Sequence, residues 1–251
     1  MASQTIRKYS DIRERLISSL DGKLVPLGKV EARSSSHLIE KVVLGSGNPK
    51  RVLISAGIHG DEPAGVETIC SLIETRDYLD FMPKWEITLL PCINPFGYER
   101  GTRINLEGMD LNRQFKSPAP PKEVALVQSV FDRAFDMTIE LHEDEDSSGY
   151  YLYQSVASDL MTDLTFHILN EVQKVMPING DSTIDDMPAR DGAIERVSDV
   201  ETMDWWPMAL FALSKGTRLC LTLESTQQFP IKTRVDAHLT AIRTALNFFS
   251  D

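Results

Sequence analysis

The sequence is short of three things. It has only three cysteines, Cys70, Cys92 and Cys220, widely separated and without a Cys-x-x-Cys pair. That excludes a disulfide framework and a thiolate zinc cluster. Each lies in an apolar segment, which predicts reduced core residues of a cytoplasmic protein. Long apolar runs are lacking as well: none approaches the roughly 20 residues that a membrane-spanning helix needs. The N-terminal stretch from Met1 to Leu20 mixes Arg, Lys, Asp and Glu and has no apolar core of the signal-peptide kind. Positive charge is the third shortage. Lys and Arg number 26 against 37 Asp and Glu, a formal net charge of −11. A nucleic-acid partner and docking on an anionic membrane both require clustered cations, so neither is expected. Internal repeats, low-complexity linkers and the Gly-x-Ser-x-Gly elbow of serine hydrolases are also absent.

What is there suits an α/β protein. With 251 residues, 42% of them hydrophobic, the chain can bury a large core without metal or disulfide staples. A metal site here is therefore expected to be catalytic. Strand-like apolar runs at residues 38–44, 52–56, 87–91, 137–141, 150–154 and 219–223 alternate with helical patterns. The helices are expected at 12–20, 63–74, 123–135, 158–175 and 238–249, giving a mixed or mainly parallel sheet covered by helices. The whole of 1–251 reads as one domain, and Ser117–Pro121 as a loop within it.

The residues that carry chemistry fall at the C-terminal ends of predicted strands, the edge where open α/β sheets bind ligands. Residues 52–56 run into Gly57-Ile58-His59-Gly60-Asp61-Glu62, with Pro63 suited to the first turn of the next helix. A His and a carboxylate three apart on that turn can reach one ion; taken alone, the pattern is equally a solvated turn. His142 ends the run 137–141, where alternation places it on the same face as Glu140; alone, it reads as a structural histidine. Zinc held by two His and one Glu keeps a position open for water, the catalytic arrangement. Glu224, after 219–223, could take a proton from such a water and pass it on, although by itself it would be a cap or a surface acid. Convergence of distant segments on one edge is the stronger signal.

Three further stretches extend the pattern. Gly57-Ile58-His59-Gly60-Asp61-Glu62, Asn94-Pro95-Phe96-Gly97-Tyr98-Glu99-Arg100-Gly101-Thr102-Arg103 and Gly108-Met109-Asp110-Leu111-Asn112-Arg113-Gln114-Phe115, followed by a strand-end His and a strand-end Glu, resemble the M14 zinc carboxypeptidases from about residue 50 to 226. The resemblance implies a mixed, mostly parallel eight-stranded sheet with helices on both faces and one Zn2+ ion at its edge. It makes His59, Glu62 and His142 the ligands, Glu224 the general base and Arg103 the oxyanion-stabilising arginine. Asn112 and Arg113 would grip the free carboxylate of a small peptide, a task that suits the planar guanidinium fork.

The chain also departs from that family. Met203-Asp204-Trp205-Trp206-Pro207 stands where the peptidases carry a mobile Tyr, and no Tyr follows Tyr153. The covering hydroxyl is therefore missing or comes from another segment. The short chain is closer to the murein-peptide amidases. Succinylglutamate desuccinylases and aspartoacylases share the His-x-x-Glu, the Asn-Arg pair and the later His, so removal of an acyl group from an N-acyl amino acid is the second reading. A zinc protein without catalysis would have no reason to keep Glu224 and Arg103.

Some features have no assigned role. The run Glu143-Asp144-Glu145-Asp146 reads as a solvated loop; the rival is a cleft-side patch selecting a substrate amino group. Trp205 and Trp206 either line the pocket or pack a loop. His37, His167 and His238 have no partner pattern, and the latter two are expected on helix surfaces.

Overall fold

Alternation along the apolar runs decides how the sheet is covered. The computed structural model describes the chain except residues 1–6, 21–23, 33–34, 157–162, 196–202 and 249–251. In chain order the elements are helix α1 (Tyr9–Ser19), strands β1 (Val25–Glu31), β2 (Ser36–Leu44) and β3 (Lys50–Ala56), helix α2 (Pro63–Glu74), strand β4 (Trp85–Leu90), helices α3 (Pro95–Arg100) and α4 (Lys122–Gln128), and strands β5 (Met137–Asp144) and β6 (Tyr151–Val156). They continue with helix α5 (Asp163–Val172), short strands β7 (Thr183–Ile184), β8 (Met187–Pro188) and β9 (Ala193–Glu195), helix α6 (Met208–Ser214), strand β10 (Leu219–Thr226) and helix α7 (Ile231–Phe248).

Eight strands form one sheet in the order β1-β2-β4-β3-β5-β10-β6-β9. The central strands β4, β3, β5 and β10 run parallel, as do β6 and β9, while β1, β2 and the β10–β6 pairing are antiparallel. This is the mixed, mostly parallel eight-stranded sheet that the resemblance implied. Period-2 alternation divides its core. Val52 and Ile54 join a cluster with Val66, Ile69, Leu169 and Ile242, so α2, α5 and α7 cover one face. Leu53 and Cys220 point the other way, into a cluster with Val124, Val127, Met208 and Ala209 from α4 and α6. The three cysteines are buried and unpaired. Among the described residues no helix is long and apolar enough to cross a membrane.

The differences from the expected elements have local causes. α4 stops at Gln128 because the chain turns, yet Val130, Phe131 and Phe135 are still buried as the helical pattern required. α7 begins seven residues before the expected 238, just after Pro230, since the polar stretch Lys232–Thr233–Arg234 hid its first turns. The first five residues of the helix expected at 158–175, and residue 249 of the last one, lie outside the described residues.

Two glycines bring the chain from β3 to the sheet edge. Gly57 has φ +62°, a left-handed conformation open to glycine. Gly60 lies against α3 so closely that a Cβ there would stand 1.9 Å from the Gly97 carbonyl carbon and 2.2 Å from the Tyr98 nitrogen. Backbone cannot yield as a flexible side chain does. Gly60→Ala is therefore expected to lose about 1–3 kcal/mol of stability, the cost of overpacking. Denaturant unfolding checks this against Gly180→Ala, which meets nothing within 4 Å and should stay within about 0.5 kcal/mol of the parent.

Candidate active site

The three nominated ligands come from two neighbouring strands. β3 delivers His59 and Glu62 through the Gly57 turn, with Pro63 opening α2 directly after them. β5, paired to β3 in parallel register, carries His142. All three are buried. His59 Nδ1 lies 2.7 Å from Glu62 Oε1, and His142 Nδ1 lies 2.8 Å from Glu62 Oε2. One ligand atom from each residue falls within 4.8 Å of the others. Two imidazole nitrogens and a carboxylate oxygen are the donor set of catalytic zinc, and a cation there would replace the Nδ1 protons.

The outward ring nitrogens meet carboxylates as well. His59 Nε2 is 3.1 Å from Asp110 Oδ1, and His142 Nε2 is 3.8 Å from Glu140 Oε2. A contact like that of Asp110 fixes the tautomer and orientation of a ligating histidine, whereas Glu140 acts on His142 through charge at longer range. Burial opposes ionisation of Glu62, yet the neighbouring His59 and His142 hold its carboxyl well below the usual range. Burial likewise opposes a charge on His142, and Glu62 and Glu140 overcome it, raising its pKa. Asp110 is also held low, despite partial burial, by His59 and Arg103.

A cavity of about 400 Å³ opens over these groups, within the range of small-ligand sites. On one side stand Arg103, Asn112 and Arg113. Asp110 organises them: its side chain accepts from the Asn112 backbone N–H at 3.0 Å and from Arg103 Nε and Arg113 Nε at 3.1 and 3.3 Å. Arg103 also reaches Glu62 Oε1 at 3.3 Å, and the Arg113 guanidinium lies 4.3 Å over the Trp205 ring. Asn112 Oδ1 accepts the Met208 N–H at 2.9 Å, which ties this wall to the start of α6. Asp110 sits inside the quoted motif but its sequence gave no hint of this linking position, which arises only from tertiary contacts.

Glu224 faces the cavity from β10, in register with His142 on one side and Tyr151 on the other. Enclosure pushes its carboxyl well above the usual range; Glu62, Asp144 and Asp185 add to the shift and His142 opposes it. The far wall is acidic. Tyr151 Oη donates to Asp144 at 2.9 Å, and Tyr153 Oη donates to Asp185 from the β7–β8 hairpin. Both tyrosines line the cavity, so hydroxyls from β6 stand where none was expected from the segment before Glu224. The signal was available: alternation places 151 and 153 on one face of the strand.

Three expectations are corrected. Glu143 is no solvated residue: it is buried in β5, paired with Arg234 and accepting the Ala64 N–H at 2.7 Å. Burial pushes its carboxyl up to about 7, with Arg234 opposing. Asp144 is half-buried, whereas Glu145 and Asp146 are exposed in the loop after β5 as expected, and all three line the cavity. His238 is not on a helix surface but completely buried, which pushes its pKa down to about 3 and leaves it neutral. His37 has partners, Glu99 at 3.2 Å and the Tyr9 and Phe96 rings, whereas His167 is exposed as expected. Trp205 lines the cavity, and Trp206 packs against the second core cluster.

Comparison with known proteins bears on this arrangement. The model of the succinylglutamate desuccinylase/aspartoacylase catalytic domain matches residues 48–235. Murein peptide amidase A of Escherichia coli (strain K12) is 42% identical over 64 residues, a stretch covering 25% of this chain and 24% of that protein. The solved structure of a candidate metallopeptidase from Shewanella amazonensis SB2B superposes with a TM-score of 0.83 at 22% identity, covering 99% of this chain and 97% of its own. A metallo-carboxypeptidase from Pseudomonas aeruginosa, in complex with (2-guanidinoethylmercapto)succinic acid, gives 0.69 at 16% identity, covering 96% of this chain and 68% of its own. At these identities the two structures speak for the carboxypeptidase-like fold.

Metal analysis of the purified protein should find one divalent ion per chain, and His142→Ala should abolish it. Asp110→Asn removes the charge behind His59 and should weaken divalent-metal binding about 10- to 100-fold, read by competition with a chromophoric chelator. An unchanged affinity would show that the Asp110 contact does not orient His59.

Proposed function

The chain belongs to the succinylglutamate desuccinylase/aspartoacylase catalytic-domain family, and from that premise we propose that it is a zinc-dependent hydrolase cutting an amide bond beside a free carboxylate in a small peptide. One observation carries the reading: His59, Glu62 and His142 converge beside Glu224 in a cavity whose other side presents Arg103, Asn112 and Arg113. Zinc held by the first three residues supplies a Lewis acid that acidifies water and polarises a carbonyl.

The chain's own residues do the rest. Asn112 and Arg113 seat the substrate carboxylate, Arg113 through a guanidinium steadied by Asp110 and Trp205. Glu224 accepts the proton of the attacking water and returns it to the departing amine. Its raised pKa favours holding that proton between the two steps, while a nearby cation would pull the carboxyl back toward ionisation at the start. Arg103, which lines the same cavity beside Glu62, is the cation assigned to the oxygen on which negative charge develops.

The family match favours a second reading, deacylation of an N-acyl amino acid. The acidic wall supports the peptide. Asp144, Asp185, Glu145 and Asp146 face the cavity, and the Tyr151 and Tyr153 hydroxyl protons are already given to Asp144 and Asp185. That wall presents acceptors and negative charge, which suit a substrate amino group and repel the second carboxylate of a succinyl or aspartyl compound. Turnover of short peptides with a free ammonium should therefore exceed turnover of N-succinyl and N-acetyl amino acids; the reverse order would install the deacylase.

Two substitutions examine the assignments. Glu224→Gln should keep its metal and lose activity by at least about 10²- to 10⁴-fold, the share of general acid–base catalysis; a fully active variant would end the assignment. Paired Asp144→Asn and Asp185→Asn should lower kcat/KM for cationic peptides selectively. Equal losses on neutral peptides would mean that the wall does not read charge.

A further inference from the structure

Resting on the reading that His59, Glu62 and His142 hold a divalent cation, we propose that the segment 227–238 is a brace fixing the spacing of Glu62 and His142, with Arg234 and His238 as positioning residues for the metal centre. Arg234 and His238 stand four residues apart and so share one face of α7. His238 Nε2 lies 3.2 Å from the His142 carbonyl oxygen, which can only accept, so Nε2 carries the proton. Its Nδ1, 3.1 Å from Tyr150 Oη, then accepts from that hydroxyl. Both side chains lie in the core, without access to substrate.

Arg234 makes the second tie. It pairs with Glu143 Oε1, while Glu143 Oε2 accepts the Ala64 N–H at 2.7 Å. One carboxylate thereby joins α7 to the end of β5 and to the first turn of α2. Gln227, between β10 and α7, supplies the third. Its backbone N–H donates to the Asp144 carbonyl at 3.0 Å, and its amide nitrogen donates to the Asp61 carbonyl at 3.3 Å.

Every tie ends within two residues of a nominated ligand: Asp61 and Ala64 flank Glu62, and Glu143 and Asp144 follow His142, whose own carbonyl takes the His238 proton. A buried ion pair is a weak source of stability compared with apolar packing, but it fixes geometry strongly, because neither charge can be left alone. The Arg234–Glu143 side chains are 12% and 0% exposed. The contacts thus hold two backbone segments at one separation, the quantity on which two ligands of one ion depend.

The test reads zinc affinity, by competition with a chromophoric chelator, together with the melting temperature of chelator-stripped protein. The double variant Tyr150→Phe with His238→Leu removes both side-chain partners with little change of volume and leaves only the His142 carbonyl without that donor, so the metal-free protein should melt within several degrees of the parent. Its zinc affinity should fall about 10- to 100-fold, the scale of outer-shell effects, and His238→Gln, which keeps a donor for the His142 carbonyl, should recover most of the loss. Should the double variant fail to fold, Gln227→Ala carries the test, because its side chain is only half-buried; its affinity should drop several-fold at an unchanged melting temperature. Parent-like zinc affinity in whichever of these variants folds overturns the brace alone. A wild-type protein that binds no zinc overturns the metal reading and the brace with it.

Discussion

A carboxylate held out of water between two imidazoles is the constraint on which the rest of this structure depends. Glu62 is buried, and an unpaired charge there would cost several kcal/mol. Its nearest partners are His59, on the turn after β3, and His142, on β5, with Arg103 reaching it at 3.3 Å from the cavity side. Satisfying it therefore demands that β3 and β5 end level with each other and that α2 begin at once. The parallel register of Ala56 with Leu141 and of His142 with Glu224 meets that demand. Asp110, behind His59, extends the same charge balance outward to Arg103 and Arg113, which face the cavity; Glu140 is buried behind His142 at 3.8 Å.

The local sequence exposed the nominated ligands because each lies on, or within a short turn of, a strand whose apolar run is easy to read. His59 and His142 follow apolar, strand-like runs, and the Gly57–Glu62 turn announces itself through its glycines. Glu224 was legible for the same reason. Other parts were hidden by physics that acts at long range. α6 is apolar on every side because it is buried all round, so it lacks the polar stripe that reveals a helix. β1 contains Pro26 and Gly28 and is largely exposed at the edge of the sheet, which removes the usual strand signal.

Charged residues were the hardest to place. Glu143 sits in a run of four acids, and nothing in that run marks it as the one that turns inward to Arg234, 91 residues away. His238 lies among Asp, Thr and Arg, a setting that suggests solvent, yet it packs against Tyr150 and the backbone of β5. Asp110 is intelligible only once His59, Arg103 and Arg113 have been brought around it. In each case a decisive partner is remote in sequence — Arg234 for Glu143, Tyr150 for His238, His59 for Asp110 — and burying the polar group is tolerable only once that partner is in place.

The cavity's two sides stand on different supports. The residues assigned to hydrolysis grow from β3, β5 and β10 in the middle of the sheet. Asp185 sits instead at the tip of the two-residue strands β7 and β8, a separate hairpin, with φ +48° in a left-handed turn. Changing a hairpin tip leaves the central strands and their register untouched. Under the proposed function, the Asp185 share of the wall is thus mutationally separable from the chemistry: a lineage can exchange that charge on the hairpin, whereas Asp144 shares β5 with His142 and cannot be altered so independently.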